Sequence, residues 1–139
     1  MQRFFSLLLL GSFLLPGPAL AAPAADAAMT IAFVGDFLPA GSAGPVIDRY
    51  GFGRLFEGVR PVLADVDAVV LNLETPLSTR GRPVEGKAYT FRSSPEAAGA
   101  LARENVRAVW LANNHIMDFG PGALADTIAS LQSAGIMFA

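Results

Sequence analysis

Cysteine is absent from all 139 residues. That removes disulfides and thiolate metal sites together, and it leaves an exported form of the chain dependent on its core alone. Lipid attachment to a cysteine behind the leader is excluded on the same ground. Histidine is nearly absent too, His115 being the only one, so any imidazole chemistry runs through that residue. Positive charge is not in excess. With the leader described below set aside, nine Lys and Arg face 12 Asp and Glu, a net charge of −3. This argues against nonspecific nucleic-acid binding, and no nucleic-acid partner is expected. The apolar run Phe4 to Leu15 has 12 residues, too few to span a bilayer comfortably.

What is present begins with a leader. Arg3 and the amino terminus supply a positive end, Phe4 to Leu15 an apolar stretch, Pro16-Gly17-Pro18 a break, and Ala19-Leu20-Ala21 a small-x-small cleavage pattern. Residues 1–21 therefore read as a secretory signal, with an uncleaved anchor as the alternative. Residues 22–28 are Ala-rich and read as a flexible lead-in. The domain occupies residues 29–139.

Met29 to Val34 is a short apolar run ending at Gly35-Asp36, which suits a strand buried on both faces. Leu55, Val59, Val62 and Val66 recur at helical spacing, with Pro61 kinking that helix or starting a new one. Ala68 to Leu73 reads as a second strand. Ser94-Pro95 supplies an N-cap and a first-turn proline for a helix over Glu96 to Glu104. Val106 to Leu111 reads as a third strand. Leu124, Ile128 and Leu131 mark one face of a last helix that starts near Pro121 and stops before Gly135. Ile136-Met137-Phe138 opens a fourth strand. Alternating strands and helices predict right-handed crossovers and an α/β fold with a layered, mostly parallel sheet. The fourth strand has barely begun at Ala139, so the chain is expected to be the amino-terminal portion of a larger, truncated domain.

Ligands of open parallel sheets bind beyond the carboxyl ends of the strands. All three such ends are polar here: Gly35-Asp36, then Asn72-Leu73-Glu74-Thr75-Pro76, then Asn113-Asn114-His115 with Asp118 three residues on. Oxygen-rich donors with one imidazole and no sulfur suit a divalent cation such as Mg²⁺, Mn²⁺ or Zn²⁺. Each residue also has a plainer reading. Asp36 fits an Asx-turn or helix cap, and Glu74 fits an arginine partner. Asn113 and Asn114 fit turn residues in left-handed conformation, His115 a satisfied histidine under a loop, and Asp118 the cap of the last helix.

The segment Ser78 to Arg92 differs in kind. It carries Arg80, Arg82, Lys87 and Arg92 against the single acid Glu85, a local charge of +3. Such a patch favours a polyanionic or phosphorylated substrate, the alternative being a solvated hairpin. Tyr89 and Phe91 alternate with Thr90 and Arg92, as in a half-buried strand.

Gly35-Asp36, the run Asn72 to Leu77, Ala112-Asn113-Asn114-His115 with Asp118 and Gly120, and Thr127, Leu131, Gly135 and Ile136 together resemble the bacterial capsule-synthesis CapA family. That family is associated with poly-γ-glutamate export or assembly and looks related to calcineurin-like metallophosphoesterases. The resemblance covers about Ile31 to Ile136, and the Asn-Asn-His element is its specific part. It implies a layered metallophosphoesterase-like α/β fold with a site over the strand ends. Asp36, Glu74 and Asn114 would be ligands of a divalent metal ion (Mn, Mg or Zn), His115 would stabilise developing charge, and Asp118 would orient His115. Asn72 and Asn113 join Arg80, Arg82, Lys87 and Arg92 as candidate substrate-binding residues.

The implied setting is the periplasmic or cell-surface side of a bacterial membrane, with an anionic polymer or phosphorylated substrate and a membrane capsule-synthesis complex as partners. Two departures bear on activity. No histidine follows Asp36 where phosphoesterases carry an Asp-x-His pair, and later histidine ligands are missing, so residues 22–139 alone are expected to be inactive. The functional readings are a metal-dependent hydrolase or transferase of capsule metabolism, a noncatalytic polyglutamate-binding or export subunit, and a phosphoesterase for small phosphorylated compounds.

Overall fold

The computed structural model describes residues 28–139. The predicted signal and nearly all of the lead-in lie outside the described residues. Four strands and four α-helices follow in the order β1 Ile31–Phe37, α1 Gly44–Tyr50, α2 Arg60–Ala64, β2 Ala68–Leu73, α3 Glu96–Arg103, β3 Val106–Trp110, α4 Pro121–Ser133 and β4 Met137–Phe138. The strands form one sheet in the order β1-β2-β3-β4, every neighbouring pair parallel. The expected α/β layered architecture is the one observed.

Sequential parallel strands with crossovers of one hand stack their helices on one face of the sheet. Val69, Leu71 and Leu73 of β2 and Val106 and Val109 of β3 are buried there together with Leu63, Leu101 and Leu131. The opposite face carries Phe33, 67% exposed, and Trp110, 44% exposed, whose rings stack at 6.1 Å. β1 is therefore not the doubly buried strand that its composition suggests. It lies at the sheet edge, where only Ala32 and Phe37 pack against the core, Phe37 stacking on Phe56 at 5.2 Å. A continuous apolar run does not reveal which strand occupies the edge. β1 also extends past Val34 to Phe37, with a register irregularity between Phe33 and Asp36, and this places Asp36 opposite Asn72.

The helix expected across Leu55 to Val66 is broken in two. Phe52–Phe56 makes a 3₁₀ turn and α2 starts at Arg60, with Pro61 in its first turn, where the missing N–H costs nothing. Arg60 bridges the break. Its guanidinium donates to the Gly53 carbonyl at 2.9 Å and to both oxygens of the buried Glu104. At α3, Ser94 Oγ accepts the Glu96 N–H at 3.3 Å. The helix stops at Arg103, before left-handed Asn105, whose amide donates to the Val66 carbonyl at 2.6 Å.

α4 ends as expected. Gly135 adopts φ +70°, and the Ile136 N–H returns to the Leu131 carbonyl at 2.9 Å, a closure that favours a residue without a Cβ. Thr127 joins this helix to the end of β2. Its hydroxyl donates to the Ala123 carbonyl and accepts the Leu77 N–H, both at 2.8 Å, and Thr127 and Leu77 are fully buried.

Residues 78–92 contain neither a hairpin nor the half-buried strand expected around Tyr89, which is 73% exposed. A lone parallel bridge, Leu77 to Ser93, closes the base of the segment. Its backbone donors are met one at a time by the turn after β3 instead of by a ladder. Val84 N–H donates to the Asp118 carbonyl at 2.9 Å, and Phe91 N–H to the Asp118 carboxylate at 2.7 Å. The segment is a strap, and alternation of side chains cannot distinguish a strap from a strand.

Thr127→Val keeps the shape of the side chain but orphans the buried Leu77 N–H. It is expected to lower stability by about 1–3 kcal/mol, whereas Thr127→Ser retains most of the wild-type value. Urea titration checks this, with a shifted midpoint at unchanged slope as the expected result.

Candidate functional site

The end of β1 contributes Asp36, β2 contributes Asn72 and Glu74, and the turn after β3 contributes Asn113, Asn114 and His115. Parallel pairing sets Asp36 against Asn72 and Asn72 against Trp110, so the polar ends of the three strands lie side by side. The Asn72 amide nitrogen donates to Asp36 at 2.8 Å and to the Glu74 carboxylate. Two acceptor-only carboxylates fix its orientation, because only the NH₂ end can face them. Its oxygen accepts from Asn113 at 3.0 Å, and Asn113 also donates to the Leu73 carbonyl at 2.8 Å. Thr75 Oγ1, next to Glu74, is buried with no hydrogen-bond partner among the described residues.

Asn113 is the joint of this arrangement. Its carbonyl oxygen accepts the N–H groups of His115 and Ile116 at 3.0 and 2.9 Å, a side-chain turn that replaces a backbone one. Neither Asn113 nor Asn114 is left-handed, Asn105 being the one non-glycine residue with positive φ among the described residues. Asn114 is exposed, and its carbonyl accepts from Lys87. No hydrogen bond joins its side chain to Asp36 or Glu74 among the described residues.

A second cluster adjoins the first through the same turn. The Asp118 side chain is 1% exposed and has three partners. Lys87 pairs with one oxygen, while His115 Nδ1 and the Phe91 N–H each lie 2.7 Å from the other. Burial pushes the Asp118 carboxyl up, but the bonds from Lys87, His115 and Phe91 outweigh it and hold the group below its ordinary value. Asp118 does not cap α4, whose N-cap is Gly120 with no side-chain capping bond. The His115 ring meets Phe91 edge-on at 4.8 Å.

The cationic strap is largely engaged within the protein. Arg80 pairs with Asp126 of α4, donating from Nε at 2.9 Å, and Ser78 Oγ donates to the same carboxylate at 2.6 Å. Arg92 lies 4.3 Å above the Phe119 ring and donates to the Arg80 carbonyl at 2.9 Å. Lys87 belongs to the Asp118 cluster. Arg82 alone of the four is exposed without a hydrogen-bond partner among the described residues. Gly81, at φ +89°, lies so close to the Phe119 carbonyl that a Cβ would collide with it, which fastens the strap at one more point. A cavity of about 430 Å³ has Asp48, Arg92, Ser94 and Glu96 in its wall. Of the predicted site residues, Arg92 is the one that lines it.

Spacing in the sequence identifies Asp36, Asn72, Glu74, Asn113, His115 and Asp118 but does not show Lys87 as the partner of Asp118, 31 residues away. Asp126 carries no local signal at all, since its partner is 46 residues distant. Among the described residues no three His, Cys, Asp or Glu side chains form a group that could hold a metal ion. Asp36 and Glu74 are the pair of carboxylates that share a partner.

A family model described as bacterial capsule synthesis protein PGA_cap matches residues 30–139. A probable polyglutamine synthesis accessory protein of Mycobacterium tuberculosis (strain H37Rv) is 36% identical over 92 residues, which is 66% of this chain and 24% of that protein. The capsule biosynthesis protein CapA of Bacillus anthracis is 28% identical over 111 residues, 78% of this chain and 27% of its own length. The PGA biosynthesis protein CapA of Bacillus subtilis is 27% identical over 104 residues, 74% of this chain and 27% of its own. The chain thus spans about a quarter of the length of these relatives.

Arg80 and Ser78 hold the Asp126 carboxyl down at about 2, from an ordinary 3.8. A depressed acid contributes stability that is fully present above its unfolded value and is lost as pH falls through its folded value. The melting-temperature gap between wild type and Asp126→Asn is therefore expected to be constant above pH about 4 and to close between pH about 4 and about 2. A pH series of thermal melts checks this, and a gap independent of pH would contradict it.

Proposed function

The chain belongs to the bacterial capsule synthesis family whose model spans residues 30–139, and on that basis we propose an exported protein of poly-γ-glutamate or related capsule assembly. In this reading the strand-end cluster holds a divalent cation and acts, in metallophosphoesterase fashion, on an anionic polymer or a phosphorylated substrate. Its place is the periplasmic or cell-surface side of the membrane, in contact with a membrane capsule-synthesis complex. The observation that carries the reading is the convergence of Asp36 and Glu74 on the single amide nitrogen of Asn72.

Two carboxylates sharing one donor form a locus of negative potential that favours a cation. The donors are oxygens without sulfur, and Mg²⁺ is commonly held through one or two carboxylates with water completing its shell. Mg²⁺ or Mn²⁺ therefore fits the donors better than Zn²⁺, whose catalytic sites draw on histidine or cysteine. Asp36 and Glu74 would hold the ion, with Asn114 as the candidate third ligand. Such an ion, when bound, acidifies a water and clamps anionic oxygens. The chain's own residues do the rest. His115, one turn away, presents an imidazole to developing charge, Asp118 orients it, and Asn113 keeps the turn in register with β2. Arg82 supplies positive charge toward the substrate, while Arg92 is held on the strap by Phe119 and the Arg80 carbonyl.

A second reading, a noncatalytic polyglutamate-binding or export subunit, is favoured by one observation. Asp36 and Glu74 each accept from Asn72, and no third acid or histidine joins them among the described residues.

Mn²⁺ titration of the full chain, followed by paramagnetic broadening of amide resonances, tests the cation. Broadening is expected around Asn72 and Glu74, and the double variant Asp36→Asn/Glu74→Gln is expected to bind at least about tenfold more weakly, about 1.4 kcal/mol. The exposed-acid control Asp48→Asn should bind as wild type, and equal losses in both variants would sink the site. A second prediction separates two arginines. Arg82→Gln is expected to weaken poly-γ-glutamate binding several-fold at low salt and little at high salt, whereas Arg80→Gln lowers stability by releasing Asp126. Anisotropy titrations at two ionic strengths, paired with thermal melts, check the split.

A further inference from the structure

The chain contains one lysine and one histidine, and they meet on the same buried carboxylate. Lys87 Nζ pairs with one oxygen of Asp118, donates to the Asn114 carbonyl and stands 3.3 Å from His115 Nδ1. The other Asp118 oxygen lies 2.7 Å from His115 Nδ1.

These contacts determine where the imidazole proton resides. An ionised carboxylate has no proton to donate, so the 2.7 Å approach of Nδ1 requires a proton on Nδ1. That nitrogen then has no lone pair for Lys87, and the 3.3 Å spacing is a contact and not a hydrogen bond. The Lys87 ammonium is satisfied by the two oxygens, and it leaves the second Asp118 oxygen to the ring and to Phe91 N–H. Without Lys87, a nearly dry carboxylate would lose its only formal counter-charge in the cluster and would draw in water or turn. A compact ammonium with three freely directed donors suits a space bounded by a carbonyl, a carboxylate and a ring, where a planar guanidinium fork does not.

We infer that Lys87 is a positioning residue: by holding Asp118 in place it locks His115 in the Nδ1–H tautomer and leaves Nε2 bare as the working nitrogen of the site. The strap, residues 78–92, thereby sets the state of a side chain on the neighbouring turn. The inference rests on His115 being the reactive side chain of the proposed function, but its test needs neither metal nor turnover, so the two can fail separately.

Because His115 is the only histidine, long-range ¹H–¹⁵N correlation spectra of the full chain contain a single imidazole pattern. At pH about 8 the wild type is expected to show Nδ1 protonated and Nε2 bare. Lys87→Met and Lys87→Cys are expected to shift the pattern toward the Nε2–H tautomer while the amide spectrum stays folded. With no other cysteine in the chain, the thiol introduced by Lys87→Cys can be aminoethylated selectively with 2-bromoethylamine, which restores an ammonium at nearly the same reach. Return of the wild-type imidazole pattern is the expected result. A wild-type spectrum with a proton on Nε2, an unchanged pattern in the folded variants, or failure of aminoethylation to restore it would overturn the inference. If neither variant folds, Lys87 is a structural strut and the positioning role falls.

Discussion

A carboxylate withdrawn almost wholly from water must be matched group by group, and Asp118 organises the strand-end region because it is that carboxylate. Removing a charged group from solvent costs several kcal/mol, and the cost is met only where good partners satisfy the remaining lone pairs. Its partners come from different parts of the chain: Lys87 and the Phe91 N–H from the strap, and His115 from its own turn. The strap therefore has to close over the turn for the carboxylate to be buried. Gly81 against Phe119, Arg92 on the Phe119 ring and Arg80 on Asp126 fasten the same two segments at further points.

The second organising element is a neutral amide between two acids. Parallel pairing of β1 and β2 would leave Asp36 and Glu74 as neighbouring like charges. The Asn72 NH₂ group lies between them, and Asn113 fixes its other end. Because Asn113 also nucleates the turn that carries His115, the acidic pair and the histidine cluster share one backbone joint. Electrostatic arrangement and chain geometry are therefore the same problem here, and a change in one moves the other.

Placement in the capsule synthesis family accords with this arrangement, since the residues at the three strand ends are those that carry the resemblance. The charge on the strap has a different meaning from the one its composition suggests. A local excess of cations normally signals a surface for polyanions. Here Arg80, Lys87 and Arg92 are spent on holding the strap, and Arg82 is the exposed remainder. Composition counts charges but does not count their partners, and the acids Asp118 and Asp126 lie outside the segment.

The sequence by itself determined the order of the strands and the parallel α/β class, and it marked the polar strand ends, because these follow from local periodicity, caps and turn residues acting within a few positions; α1, Gly44–Tyr50, was not read from it. The Schellman closure at Gly135 and the second strand Ala68–Leu73 were both readable in this way. Tertiary structure alone decided that β1 is an edge strand, that residues 78–92 are a strap and not a hairpin, and that Asp118 turns toward Lys87 instead of capping α4. It also decided that Asn72 bridges Asp36 and Glu74. Each of these depends on a partner that pairing in the sheet or closure of the strap brings near, in most cases 30 or more residues away. The energy of a buried charge or an edge strand belongs to those partners, and no local pattern contains it.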